Sequence, residues 1–202
     1  DYIRLQTVLS LIAPGGTLEK DSGVLSMPIE PAGFNNPDEL ITDVTYIKAP
    51  EFIRMIETLM TKELFVKGLD LYHRTFKHSN ATRKQWVESM EEFSKTKFQK
   101  MSETWLKQTN FPIINVKKSY KNKKLILEIT QIKNKKLWDF PLDIALIDNK
   151  GNIMVSVLKR IQNYRTKIIF NQNPEVISIN RGYTFYGKVN FQQTKEEMYK
   201  QV

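Results

Sequence analysis

The sequence predicts an α+β chain, a helical first part followed by an antiparallel β-sandwich. Three observations predict it. Apolar residues recur at helical spacing up to about residue 110, and at Phe111-Pro112 the period switches to two. The charge balance changes at the same place, from 14 Lys and Arg against 15 Asp and Glu in residues 1–110 to 17 against 7 in residues 111–202.

Ile3, Leu5, Val8, Leu9, Leu11 and Ile12 predict a short first helix, stopped by Pro14-Gly15-Gly16. Residues 13–45 carry four prolines and four glycines and read as one long irregular stretch, expected to lie over the helices. Helix is predicted to resume near Pro50, whose fixed φ and missing N–H suit a first turn. Its stripe is Phe52, Ile53, Ile56, Leu59 and Met60, and Leu64, Phe65, Leu69, Leu71, Tyr72 and Phe76 form the next. Thr82 with Gln85 forms a capping-box pattern ahead of Trp86, Val87, Met90 and Phe93. A last helix carries Phe98, Met101, Trp105 and Leu106.

Beyond residue 111, seven short strands are predicted at 113–116, 124–131, 142–147, 152–158, 166–170, 176–179 and 183–189, with Asp148-Asn149-Lys150-Gly151 as a hairpin turn. Strands at this spacing suggest a sandwich. Thr194-Lys195-Glu196-Glu197 reads as the cap of a helix cut short. The expected organisation is residues 1–110, 111–192 and 193–202. Asp1 stands close to an apolar-periodic stretch, which suggests a cut inside a longer chain.

With no cysteine among 202 residues, disulfides, thiolate metal sites and a Cys nucleophile are excluded. The same absence favours a cytoplasmic setting without excluding a secreted one. No apolar run reaches membrane-span length. The +9 charge, carried by the second half, raises nucleic acid or an anionic membrane as a partner. However, the lysines fall in runs at expected turns (117–118, 121–124, 133–136) without interleaved aromatics, and read as solvated loops rather than a nucleic-acid platform.

There is no H-E-x-x-H, phosphate loop or G-x-S-x-G. His73 and His78, five apart, share no helix face as a metal pair would and read as surface or helix-end residues. Glu91-Glu92 reads as a solvated face, Trp86 and Trp105 as core.

Several segments together resemble one family. Val44-Thr45-Tyr46-Ile47-Lys48-Ala49-Pro50-Glu51-Phe52-Ile53-Arg54-Met55 is similar to T-V-Y-E-K-G-A-E-V-I-R-M. Ser26-Met27-Pro28-Ile29-Glu30-Pro31 is similar to A-H-P-I-R-P, and Glu63 to Tyr72 to E-x-F-x-K-G-x-x-x-Y. Asn80-Ala81-Thr82 with Trp86 matches the next helix start. Trp105 to Val116 resembles W-x-x-Q-x-G-x-P-x-V-x-V, and Pro141 to Gly151 with Ile179 to Tyr183 resemble strands of the bacterial-type branch. The matches run in family order over most of residues 24–190. The chain thus resembles the aminopeptidase N family of zinc metallopeptidases, in the gluzincin clan.

The resemblance implies that residues 1–110 are the helical C-terminal part of a thermolysin-like catalytic domain, 111–192 its β-sandwich, and 193–202 the start of a truncated C-terminal helical domain. It implies a zinc aminopeptidase acting on peptides, represented here downstream of the H-E-x-x-H motif. The zinc ligands then lie outside this chain, which is expected to bind no metal and to be inactive alone, its partners being the remaining domains. Of the family's catalytic groups only the tyrosine carries over, onto Tyr46, whose phenol would donate to the oxyanion of the tetrahedral intermediate opposite the zinc. Ile47, Ala49 and Pro50 depart from the pattern's Glu, Gly and Ala, and Ile41 stands where an aromatic is expected. Two alternatives stay open: Tyr46 as a half-buried helix-start residue, and a non-catalytic scaffold relative of the same family.

Overall fold

In a computed structural model describing residues 2–132 and 137–199, the chain forms two units, Asp1–Asn110 and Phe111–Val202. The predicted lysine run at 133–136 lies outside the described residues. The first unit is helical, with α1 (Tyr2–Ile12), α2 (Thr17–Ser22), α3 (Asp43–Leu59), α4 (Lys62–Thr75), α5 (Arg83–Glu91) and α6 (Gln99–Leu106). The second holds β1 (Ile113–Lys121), β2 (Lys124–Gln131), β3 (Phe140–Ile147), β4 (Ile153–Ile161), β5 (Arg165–Phe170), β6 (Val176–Ile179), β7 (Lys188–Phe191) and a short α7 (Lys195–Tyr199). The α+β class follows directly.

Local side-chain chemistry starts most of the helices. Thr42, Thr61 and Thr82 each accept from the backbone N–H three residues on, at the starts of α3, α4 and α5. At α5 Gln85 reciprocates, so the predicted capping box is formed. Thr194 and Glu197 make the same reciprocal pair at α7.

Several readings are corrected. The irregular stretch contains α2 and a 3-10 turn, Pro37–Leu40, started by the Asn36 side chain accepting from Asp38 N. Each is shorter than the window over which periodicity can be read. α3 begins at Asp43 rather than near Pro50, which lies inside it. The Thr42 cap sets that start, and burial of Val44, Phe52, Met55 and Ile56 outweighs the interior proline, which withholds an N–H from the carbonyl of Tyr46. Glu91 is not on a solvated face. It is buried and accepts from Phe98 N and Gln99 N, closing the start of α6, while Glu92 is exposed. Nor are the lysine runs at 117–124 mainly loop. Lys117, Lys118 and Lys121 belong to β1 and Lys124 to β2, because the turn is only Asn122-Lys123, both left-handed (φ 51° and 61°).

The strands form a four-stranded sheet, β5-β2-β1-β7, and a three-stranded sheet, β4-β3-β6. The pairing is antiparallel throughout except that β1 and β7 run parallel, which corrects the all-antiparallel expectation. The last strand starts at Lys188, not Tyr183. Asn180 and Tyr183 are left-handed (φ 58° and 46°), and Thr184 is tied back to Asn180 and Asp143. The turn at Asp148–Gly151 forms as predicted, with Gly151 at φ 83°.

Asn110 ends the first unit at φ 76°, where the family pattern carries glycine, and asparagine is the side chain that best tolerates that conformation. Gly68 of α4 is required for a different reason. A Cβ there would stand 2.8 Å from Met90 Sδ and 3.2 Å from Met90 Cα on α5. Gly68→Ala should therefore lower stability by about 1–3 kcal/mol through overpacking, although alanine is the better helix former. Urea unfolding of the chain tests this, and an unchanged or raised midpoint would show that α4 and α5 can separate freely.

Candidate functional site

The buried stripe of α3 is Val44, Lys48, Glu51, Phe52, Met55 and Ile56, so two of its members are charged. Lys48 is 1% exposed and faces Asp21 of α2, 0% exposed, at 2.9 Å. The same ammonium donates to the carbonyls of Gln108 (3.0 Å) and Asn110 (2.8 Å), while Asn110 N donates to Asp21 Oδ1 (3.1 Å). One cation thus ties α2, α3 and the segment after α6. Glu51 accepts from both Arg4 of α1 and Arg54, joining α1 to α3.

This frame presents the first turn of α3 outward. Tyr46 is the fourth residue of α3, its N–H donating to Thr42 O at 3.1 Å, and its side chain is 69% exposed. It lines a concavity of about 340 Å³ with Ser10, Gly15, Gly16, Thr17, Lys20, Asp43 and Ile47. Lys20 and Asp43 form an ion pair at its rim. The same pair also borders a second concavity of about 720 Å³, lined by Val24, Leu25, Met27 and Val44 among others. What Tyr46 can offer there is a phenolic O–H donor beside one cation and one anion.

Sequence reasoning singled out Tyr46 but missed Lys20, Asp43, Asp21 and the role of Lys48. Lys48 carried a readable signal, a charge four residues after Val44 and four before Phe52 on the buried stripe. Asp21 carried none. His73 and His78 are exposed, and among the described residues no three His, Cys, Asp or Glu side chains are grouped to hold a metal. No grouping among the described residues fits the zinc that the family resemblance implies. Among them, too, no helix is long and apolar enough to cross a membrane.

A model described as the peptidase family M1 domain matches residues 11–105. The chain is similar to "Probable aminopeptidase 2" of Sulfurisphaera tokodaii, 34% identical over 50% of this chain and 13% of that protein. It is also similar to aminopeptidase N of Escherichia coli, 31% identical over 67% and 16%, and to human glutamyl aminopeptidase, 25% identical over 94% and 21%. The fold is like that of Legionella pneumophila aminopeptidase A solved in complex with aspartic acid, with a TM-score of 0.79 at 17% identity over 92% of this chain and 22% of that one. The chain therefore spans about a fifth or less of the length of the curated relatives named here.

The buried pair makes its own prediction. Asp21→Asn strands a buried ammonium and should cost about 3–5 kcal/mol, whereas the paired change Asp21→Leu/Lys48→Met should cost far less. Burial, outweighing the attraction of Asp21, lowers the Lys48 pKa from its ordinary 10.5. The unfolded chain then holds this proton more tightly. The stability contribution of Lys48 is flat below the lowered value and rises with pH from there to 10.5. Urea unfolding at several pH values should show the wild type gaining on the paired variant over that window. A loss there would mean that Asp21 outweighs burial.

Proposed function

Because the chain belongs to peptidase family M1, the aminopeptidase N family, we propose that it is part of a zinc-dependent aminopeptidase that removes N-terminal residues from peptides, and that Tyr46 is its contribution to the reaction. In this reading Asp1–Asn110 is the end of a thermolysin-like catalytic domain, and the two sheets of the second unit are a β-sandwich joined to it. The zinc ligands would belong to other parts of the full-length protein, and a zinc bound there would activate the attacking water.

The observation that carries the proposal is the placement of Tyr46. Tyr46 is exposed at a concavity, on a helix held by the ion pairs of Lys48 and Glu51, so its phenol is accessible to a bound group. Attack on the scissile carbonyl moves negative charge onto its oxygen. A phenol held at that oxygen donates its O–H and strengthens the bond as charge develops, without ionising. Such a donor acts mainly in the transition state and so affects kcat more than KM.

Tyr46→Phe removes only the hydroxyl from an exposed ring. In the full-length enzyme, kcat on an aminoacyl-arylamide should fall on the order of 10²-fold to 10³-fold with KM little changed. A kcat within about threefold of wild type would make Tyr46 a bystander. The isolated 202-residue chain should hold no stoichiometric zinc after dialysis and turn over no arylamide. Elemental analysis or turnover to the contrary would place a complete site within it.

A further inference from the structure

In the sheet β5-β2-β1-β7, side chains at paired positions share a face. Leu125, Leu127, Ile129, Val116 and Phe170 line the buried face. The opposite face carries Lys117, Lys121, Lys124, Arg165, Lys167 and Lys188, all exposed. Its one carboxylate is Glu128, opposite both Lys117 and Lys167 and 3.6 Å from Arg165. Asn115, Ser119, Thr130 and Asn190, together with Ile113, Ile126 and the exposed Ile169, fill the spaces between the cations, with Asn190 donating to Asn115 at 3.0 Å.

Two features define what this face fits. First, the cations fill an area rather than a line. With strands about 4.8 Å apart and a rise of about 3.3 Å per residue, they spread over roughly 15 Å by 25 Å. A single polyanionic strand meets a line of charges, and a duplex meets a curved stripe. Second, five of the six are lysines, and the other side chains on the face are aliphatic or polar without a ring to stack a base. Lysine is a hydrated point charge that requires no stereochemical match, unlike the bidentate fork of arginine. Lysines that guard sheet edges would account for the residues on β5 and β7, but not for Lys117, Lys121 and Lys124 on the two central strands.

We propose that this face docks the protein on an anionic phospholipid surface, reversibly and through charge alone. Clusters of this size are sufficient for such attraction, which fades over a Debye length as salt rises.

The test is co-sedimentation of the chain with vesicles of phosphatidylcholine containing phosphatidylserine, against phosphatidylcholine alone, over a salt series. Binding should require phosphatidylserine and weaken with salt. Lys117→Glu/Lys167→Glu should lower partitioning about tenfold or more. Lys117→Gln/Lys167→Gln, which adds no repulsion beside Glu128, should lower it less but measurably. Lys62→Glu/Lys77→Glu, an equal charge change at exposed positions of the first unit, should leave it unaltered. Four results would overturn the proposal: equal binding to both vesicles at low salt; equal loss in the first-unit variant; tighter salt-dependent binding to duplex DNA; or tighter binding to polyglutamate than to the vesicles.

Discussion

The first unit depends on one ammonium group. Lys48 sits where an apolar residue would complete the stripe of α3, and its burial is tolerable only because every proton has an acceptor: Asp21, the Gln108 carbonyl and the Asn110 carbonyl. An apolar side chain could fill the same volume but could not choose between partners. The charged one accepts a single arrangement of α2, α3 and the segment at 108–110. That specificity matters for a short element such as α2, whose six residues bury little apolar surface beyond Leu18.

The helices were legible in the sequence because their signals are local. Thr82 and Gln85 announce α5 within four residues, and the stripe from Leu64 to Phe76 announces α4. The strands were legible through their alternation, as in Lys124 to Gln131. What was not legible shares one property, a partner distant in sequence. Asp21 and Lys48 are 27 residues apart, and Arg83 reaches back 53 residues to Glu30. Glu91 read as surface because nothing near it in sequence marks a pairing, yet it serves an N–H seven residues later, across a bend that no periodicity encodes. The parallel pairing of β7 with β1 is hidden likewise, since alternation reports faces and not direction.

The start of α3 shows how local and long-range determinants divide the work. Thr42 fixes where the helix begins, and Lys48 and Glu51 fix how it is rotated. Between them they leave Tyr46 exposed beside a concavity. Of the candidate site, the tyrosine itself was legible, but its surroundings were not. Lys20 and Asp43 come from segments 23 residues apart and meet only once α2 is folded.

The cations of the two units do different work, and their chemical type follows it. In the first unit Arg4 and Arg54 hold Glu51, and Arg83 bridges Glu30, Ser102 and Glu103 with three nitrogens of one planar group. Those sites demand direction, which the guanidinium fork supplies. Lys48 is the exception that fits the rule, since its acceptors surround a point rather than face a plane. On the sheet face of the second unit the cations are mostly lysines, Lys188 lying over the Phe111 ring, and they are opposed by the single carboxylate of Glu128. Residues 1–110 come close to neutrality, and much of their charge is paired within the unit. Charge on that face is not consumed, so its field remains available to whatever anionic surface lies beyond.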